Sequence, residues 1–184
     1  MNELSQRHKP PISELPVRNG SEPIDLSQVS FTYVEPSEPI SRPGFVGALW
    51  GDVDRHQQSF TLNARGQANK VDVLGFQALV GDGAGIELHP ENKQTEWTYI
   101  LQGNMDMTIE EPDAHPVVSQ MRGPLMPTVD LNRGIFTIGN DGLLQVAIDD
   151  ETITILPTIT HRGSSHKTQI LSERCVYLAV KTSQ

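Results

Sequence analysis

The sequence predicts an all-β fold, a sandwich or barrel formed by a single domain. Three observations carry this expectation. Short runs rich in Val, Ile, Thr, Phe and Tyr recur along the chain, bounded by Gly, Pro, Asn and Asp. No stretch of ten or more residues repeats its apolar positions with a helical period. The 15 glycines and 13 prolines among 184 residues suit many tight turns between short strands.

Taken in order, residues 1–27 are polar and carry Pro10, Pro11, Pro16, Gly20 and Pro23, which predicts an extended N-terminal arm. Residues 28–184 are expected to form the single barrel domain. Residues 29–34 alternate and are rich in β-formers, so a strand is expected there, and Pro36, Pro39 and Pro43 then force a turn or extended crossing. Further strands are expected at 45–50, 58–62 and 71–80, the last ended by the glycine-rich 81–85. Next come 86–89, 97–101, 105–109, 117–118, 134–138, 143–148, 152–156, 169–171 and 176–180. No internal repeat is present.

The formal charge of −9 would repel a nucleic-acid backbone, and no Lys/Arg cluster offsets it locally, so no nucleic-acid partner is expected. The N-terminus lacks the apolar core of a secretory signal, and no apolar run is long enough for a membrane-spanning helix. A soluble, cytoplasmic protein is the expectation. The lone cysteine, Cys175, excludes an intrachain disulfide and sits in an apolar run that predicts a buried strand.

The chemistry concentrates in residues 83–103. Residues 86–89 alternate, which places His89 and Glu87 on one strand face and Ile86 and Leu88 on the other. Residues 90–95 read as a turn. The following strand puts Glu96, Thr98 and Ile100 on one face and Trp97, Tyr99 and Leu101 on the other. An antiparallel hairpin over this turn would bring His89 and Glu96 together. Imidazole and carboxylate converging in a concave mouth make half of a metal site.

The spacing Gly83, five residues, His89-x-Glu91, four residues, Glu96, six residues, Gly103 resembles the first motif of the cupin superfamily. The ending Glu96-Trp-Thr-Tyr99-Ile-Leu-Gln-Gly103 is similar to the usual one. Glu91 stands where the family usually has its second histidine. The second motif is matched weakly over 150–165: anchored on His161, it keeps only the histidine, with Pro157 one place from the motif proline. Residues 47–52 loosely resemble an opening found in some small cupins. The resemblance implies a double-stranded β-helix, or jelly-roll barrel, as a single domain of the RmlC-like type with an extended arm. It also implies a homodimer formed through the N-terminal strand.

Carried over by position, the implied metal ligands are His89, Glu91, Glu96 and His161, holding one divalent ion. Fe, Mn, Ni and Zn are not distinguished by such a donor set. Glu91 is a ligand, a general base or a solvated turn carboxylate; His161 is a ligand or a rim histidine. His89 and Glu96 also fit a hydrogen-bonded pair in a metal-free cupin. His166, after Ser164 and Ser165, reads as a surface loop residue, and His115 and His56 as exposed; His8 lies in the arm. Trp50 and Trp97 read as core or barrel-wall aromatics.

The implied function is a metal-dependent enzyme acting on a small-molecule substrate. Its chemistry is either non-heme Fe(II) dioxygenation or Lewis-acid isomerisation, cyclisation or lyase chemistry. The alternatives are a non-catalytic small-molecule sensor and a metal-free, epimerase-like enzyme. The latter needs a His base with a Tyr or Lys acid inside the barrel, a place for which Tyr177 is a weak candidate.

Overall fold

The computed structural model describes residues 30–33, 35–36, 45–52, 60–64, 66–81 and 83–183, with the backbone of 24–25; for 45–52, 60, 61 and 63 it likewise gives the backbone alone. The expectations for the arm apart from 24–25, and for His8, His56 and the side chain of Trp50, lie outside the described residues.

A run rich in Val, Leu and Phe, buried over most of its length, gives a long central strand, β5 (Gln67–Val80), after β1 (Ile24–Asp25), β2 (Ser30–Thr32), β3 (Phe45–Asp52) and β4 (Phe60–Ala64). The chain continues through β6 (Gly85–Pro90), β7 (Thr95–Gln102), β8 (Asn104–Glu110) and β9 (Val117–Arg122). A short 3-10 turn at Leu131–Arg133 leads into β10 (Gly134–Ile138), β11 (Leu144–Ile148) and β12 (Glu151–Ile155). Three more strands close the chain: β13 (Thr158–Thr160), β14 (Ser165–Ile170) and β15 (Arg174–Ser183).

The strands form three sheets. The largest runs β1-β4-β5-β15-β7-β13, with β3 also paired to β5. A second runs β6-β14-β8-β9 and a third β12-β11-β10-β2. The order is nested. β13 pairs with β7, β14 with β6 and β15 with β5, all antiparallel. A chain folded back on itself so that its last three strands pair with earlier ones in reverse order, and alternating between two sheets, is a double-stranded β-helix.

Period-two side chains make the large sheet apolar on both faces, because both are covered. One face packs Ile100, Cys175, Tyr177 and Ala179 against Met105, Met107 and Ile170 of the second sheet, which is the barrel interior. The other packs Phe76, Trp97, Tyr99, Leu178 and Val180 against Phe31, Phe136, Leu144 and Val146 of the third sheet. Gly103, the last glycine of the first motif, lies between β7 and β8 with φ +82°, and a Cβ there would sit 2.2 Å from the Arg174 carbonyl oxygen. Only glycine takes this turn between sheets without displacing the backbone of β15.

Two sequence expectations are corrected. β6 and β7 do not form a hairpin: they belong to different sheets, and the turn between them crosses the barrel. The stretch 157–168, read as loop, holds β13 and the start of β14. Its Pro, Gly and Ser residues are turn signals, and the β14 residues that point inward begin with a histidine and a threonine, so no apolar alternation marks the strand.

Candidate metal centre

Four side chains converge at one end of the barrel: His89, Glu91, Glu96 and His166, each with a ligand atom within 4.8 Å of the others. Two cross-strand pairs build the site. In the second sheet His166 stands directly opposite His89. In the large sheet Lys181 and Thr160 flank Glu96 on its two neighbouring strands. Glu91 follows β6 and is pinned by its backbone, its N–H donating to the Ser164 carbonyl at 2.8 Å and its carbonyl accepting from Gly163 N–H at 2.7 Å.

The imidazoles meet edge to face, with ring centroids 4.3 Å apart. His89 Nδ1 lies 2.9 Å from the Glu87 carbonyl, which can only accept, so Nδ1 carries the proton and a neutral His89 presents a lone pair at Nε2. His166 Nδ1 lies 2.8 Å from the Thr160 hydroxyl. The two Nε2 atoms face each other at 2.8 Å. Glu91 Oε1 is 3.6 Å from His89 Nε2 and 3.9 Å from His166 Nε2, and Glu96 Oε2 is 3.8 Å from His166 Nε2. Donor atoms around one ion at about 2.1 Å lie roughly 3–4 Å apart, so these spacings suit a shared cation. A carbonyl or hydroxyl on the far ring nitrogen is the usual support for a metal-ligating histidine. The donor set therefore fits a divalent ion.

Lys181 completes the site, its Nζ 2.7 Å from Glu91 Oε1 and 3.1 Å from Glu96 Oε2. Deeper in the interior, the Tyr177 hydroxyl is buried with no hydrogen-bond partner among the described residues. Such an orphan costs about 1–3 kcal/mol unless a water or bound molecule satisfies it.

Charge is unevenly distributed. Burial alone would push the Glu91 carboxyl up, but His89 and Lys181 outweigh it and hold it at about 2. Burial raises Glu96 against the opposing pull of Lys181. Contact with Glu91 raises His89. Burial, and then the neighbouring His89, lowers His166 to about 4. Because that value lies below the ordinary 6.5, the stability His166 contributes is complete above pH 6.5 and lost as the pH falls toward 4. A shift of this size is worth about 3 kcal/mol. In EDTA, the urea midpoint of the metal-free protein is expected to fall between pH 6.5 and 4, and His166→Gln to flatten that slope; equal slopes would contradict it.

Of the residues expected from sequence, His89, Glu91 and Glu96 lie in the cluster. His161 does not: it is exposed at the turn after β13. The fourth place is taken by His166, which is 2% exposed and not a surface residue. A signal for it exists in the sequence. Anchored on His166, the second motif would place Gly163 at its second glycine, which two intervening residues separate from the histidine. Lys181 was also missed, although Cys175, Tyr177, Ala179 and Lys181 alternate along one strand. Tyr99 lies on the sheet face away from Glu96, as expected, with Trp97 and Cys175 buried and His115 exposed.

Nested strand pairs in two facing sheets, with the first-motif residues at the barrel mouth, decide the architecture. The fold is that of a cupin. Solved structures similar to this cupin barrel include the Schizosaccharomyces pombe Cnp3 cupin domain, at 11% identity and TM-score 0.40, covering 78% of this chain and 67% of that one. An oxalate oxidase is similar at 14% identity and TM-score 0.47, over 78% of this chain and 53% of that one. A Bacillus subtilis oxalate decarboxylase is similar at 15% identity and TM-score 0.48, over 85% of this chain and 30% of that one. This chain spans about half of the oxidase and less than a third of the decarboxylase. No family model and no curated protein sequence matches it.

Proposed function

We propose that His89, Glu91, Glu96 and His166 hold one divalent metal ion, and that the protein is a metal-dependent enzyme acting on a small organic molecule at the barrel mouth. The observation that carries this reading is the pair of imidazole Nε2 atoms 2.8 Å apart, with both Nδ1 atoms tied to other partners. When bound, such an ion supplies Lewis-acid polarisation of a carbonyl or, as Fe(II), oxygen chemistry. Two imidazoles and two carboxylates suit Fe, Mn, Ni or Zn.

The chain's own groups divide the remaining work. Thr160 and the Glu87 carbonyl orient the rings. A carboxylate held at about 2 is a weak base near neutral pH, so Glu91 is read as a ligand and not as the general base. The buried lining of Ile100, Tyr177 and Ala179 makes the interior below the site apolar apart from the Tyr177 hydroxyl.

One observation favours a second reading. The Lys181 ammonium already spans Glu91 and Glu96, as in a metal-free acid–base site with a lysine acid and a histidine base. Metal analysis of protein purified without chelators, followed by calorimetric titration with Mn(II), Co(II) and Zn(II), separates the two. About one ion per chain is expected. Activity that survives exhaustive chelation would sink the metal reading, and metal binding without turnover on any substrate would favour a sensor. Oxygen uptake against catechols, thiols and diketones then divides dioxygenation from Lewis-acid chemistry.

A further inference from the structure

Lys181 is an unusual companion for a cation site. Its ammonium touches two of the four candidate ligands, at 2.7 Å and 3.1 Å. A positive charge there opposes a second positive charge beside it. Its place is nonetheless built into the sheet: Lys181 stands opposite Glu96 in the β15–β7 register, on the barrel-facing side of an otherwise apolar row.

Exposure shows what the lysine meets. Lys181 and His89 are 26% and 28% exposed in their side chains, whereas Glu91, Glu96 and His166 are at 7%, 8% and 3%. Solvent therefore reaches the site past the ammonium and one imidazole edge, with both carboxylates beneath. The ammonium has three N–H donors, and Glu91 and Glu96 take two. Among the described residues it has no third partner.

The charge balance points the same way. Two carboxylates, one ammonium and two neutral imidazoles carry one net negative charge, and a divalent ion turns this into one net positive charge. A partly desolvated site with one unmatched positive charge recruits one negative charge from outside. We propose that Lys181 holds the place of the metal between Glu91 and Glu96 and, once the ion is bound, anchors a mono-anionic group of the substrate, a carboxylate or enolate, at the exposed rim beside it. This rests on the metal reading above. It adds the class of substrate and a reciprocal coupling: the anion tightens the metal, and the metal tightens the anion by the same factor.

The test uses the full chain, Co(II) as the spectroscopic ion, and acetate against its neutral isostere acetamide. In the native protein acetate is expected to perturb the Co(II) visible spectrum and raise Co(II) affinity by about tenfold, while acetamide does neither. In Lys181→Met, Co(II) without acetate is expected to bind about tenfold or more tightly than in the native protein, and the acetate effect to disappear. Removing the lysine leaves two buried carboxylates unpaired, so Lys181→Gln is measured beside Lys181→Met, and in both the rise in melting temperature on adding Co(II) should exceed the native rise. Native protein that binds Co(II) with equal acetate effects in the native and variant chains would overturn the lysine proposal and leave the metal reading standing. Failure of native and variant chains alike to bind Co(II) would overturn both.

Discussion

His166→Ala is expected to weaken divalent-metal binding by more than about a hundredfold, while His161→Ala leaves it within about twofold. The two histidines are five positions apart and compete for one role in the second motif, so the pair of variants separates motif from geometry. His166 presents Nε2 at 2.8 Å from that of His89 and within 4 Å of both carboxylates. Its far nitrogen is held by Thr160. Losing this ring removes one of four donors, and of its neighbours Thr160 offers only a hydroxyl in its place while His89, Glu91 and Glu96 already belong to the site. His161 is exposed and its ring is not in the cluster. Calorimetry with Zn(II) or Mn(II), with circular dichroism to confirm the fold, reads the difference. Equal losses in the two variants, or none in His166→Ala, would remove His166 from the site.

Phe76→Ala is expected to cost about 4 kcal/mol of stability and to lower the melting temperature by about 10 °C. Phe76 lies on β5 with no exposed surface. Its ring meets Tyr33 at 4.8 Å, Phe136 at 5.1 Å and Phe31 at 6.2 Å between centroids. Phe31 and Phe136 belong to the third sheet, so this cluster fastens that sheet to the outer face of the large one. Truncation leaves a cavity that neighbours held in two sheets cannot collapse to fill. Leu156→Ala, at a side chain 72% exposed, is the control and should change stability by less than about 0.5 kcal/mol. Because successive side chains point to opposite faces, the metal affinity of Phe76→Ala should stay near native where the protein remains folded. Urea denaturation measures the cost. A loss below about 1 kcal/mol would mean that the third sheet is not packed through this ring.

The strands were legible where one face is apolar. Residues 134–138 alternate cleanly and form β10 with the expected bounds. Residues 71–80 lie within the longer β5. The site was legible where local spacing carries it: Gly83, His89, Glu96 and Gly103 recur as a motif because a strand, a crossing turn and a second strand fix their separation. β14 was hidden, since an inward-facing histidine and threonine replace the apolar residues that would mark a strand. The chemistry of the site thus erased the periodic signal of the element that bears it.

By itself, the chain dictated strands, turns and the near half of the centre, because alternation and short-range spacing are properties of neighbouring residues. Which distant residues complete that centre was decided only in three dimensions. His166 reaches His89 across 77 positions, and Lys181 reaches Glu91 across 90. Those meetings follow from the pairing of β14 with β6 and of β15 with β7, a choice made by burying two faces of one sheet at once.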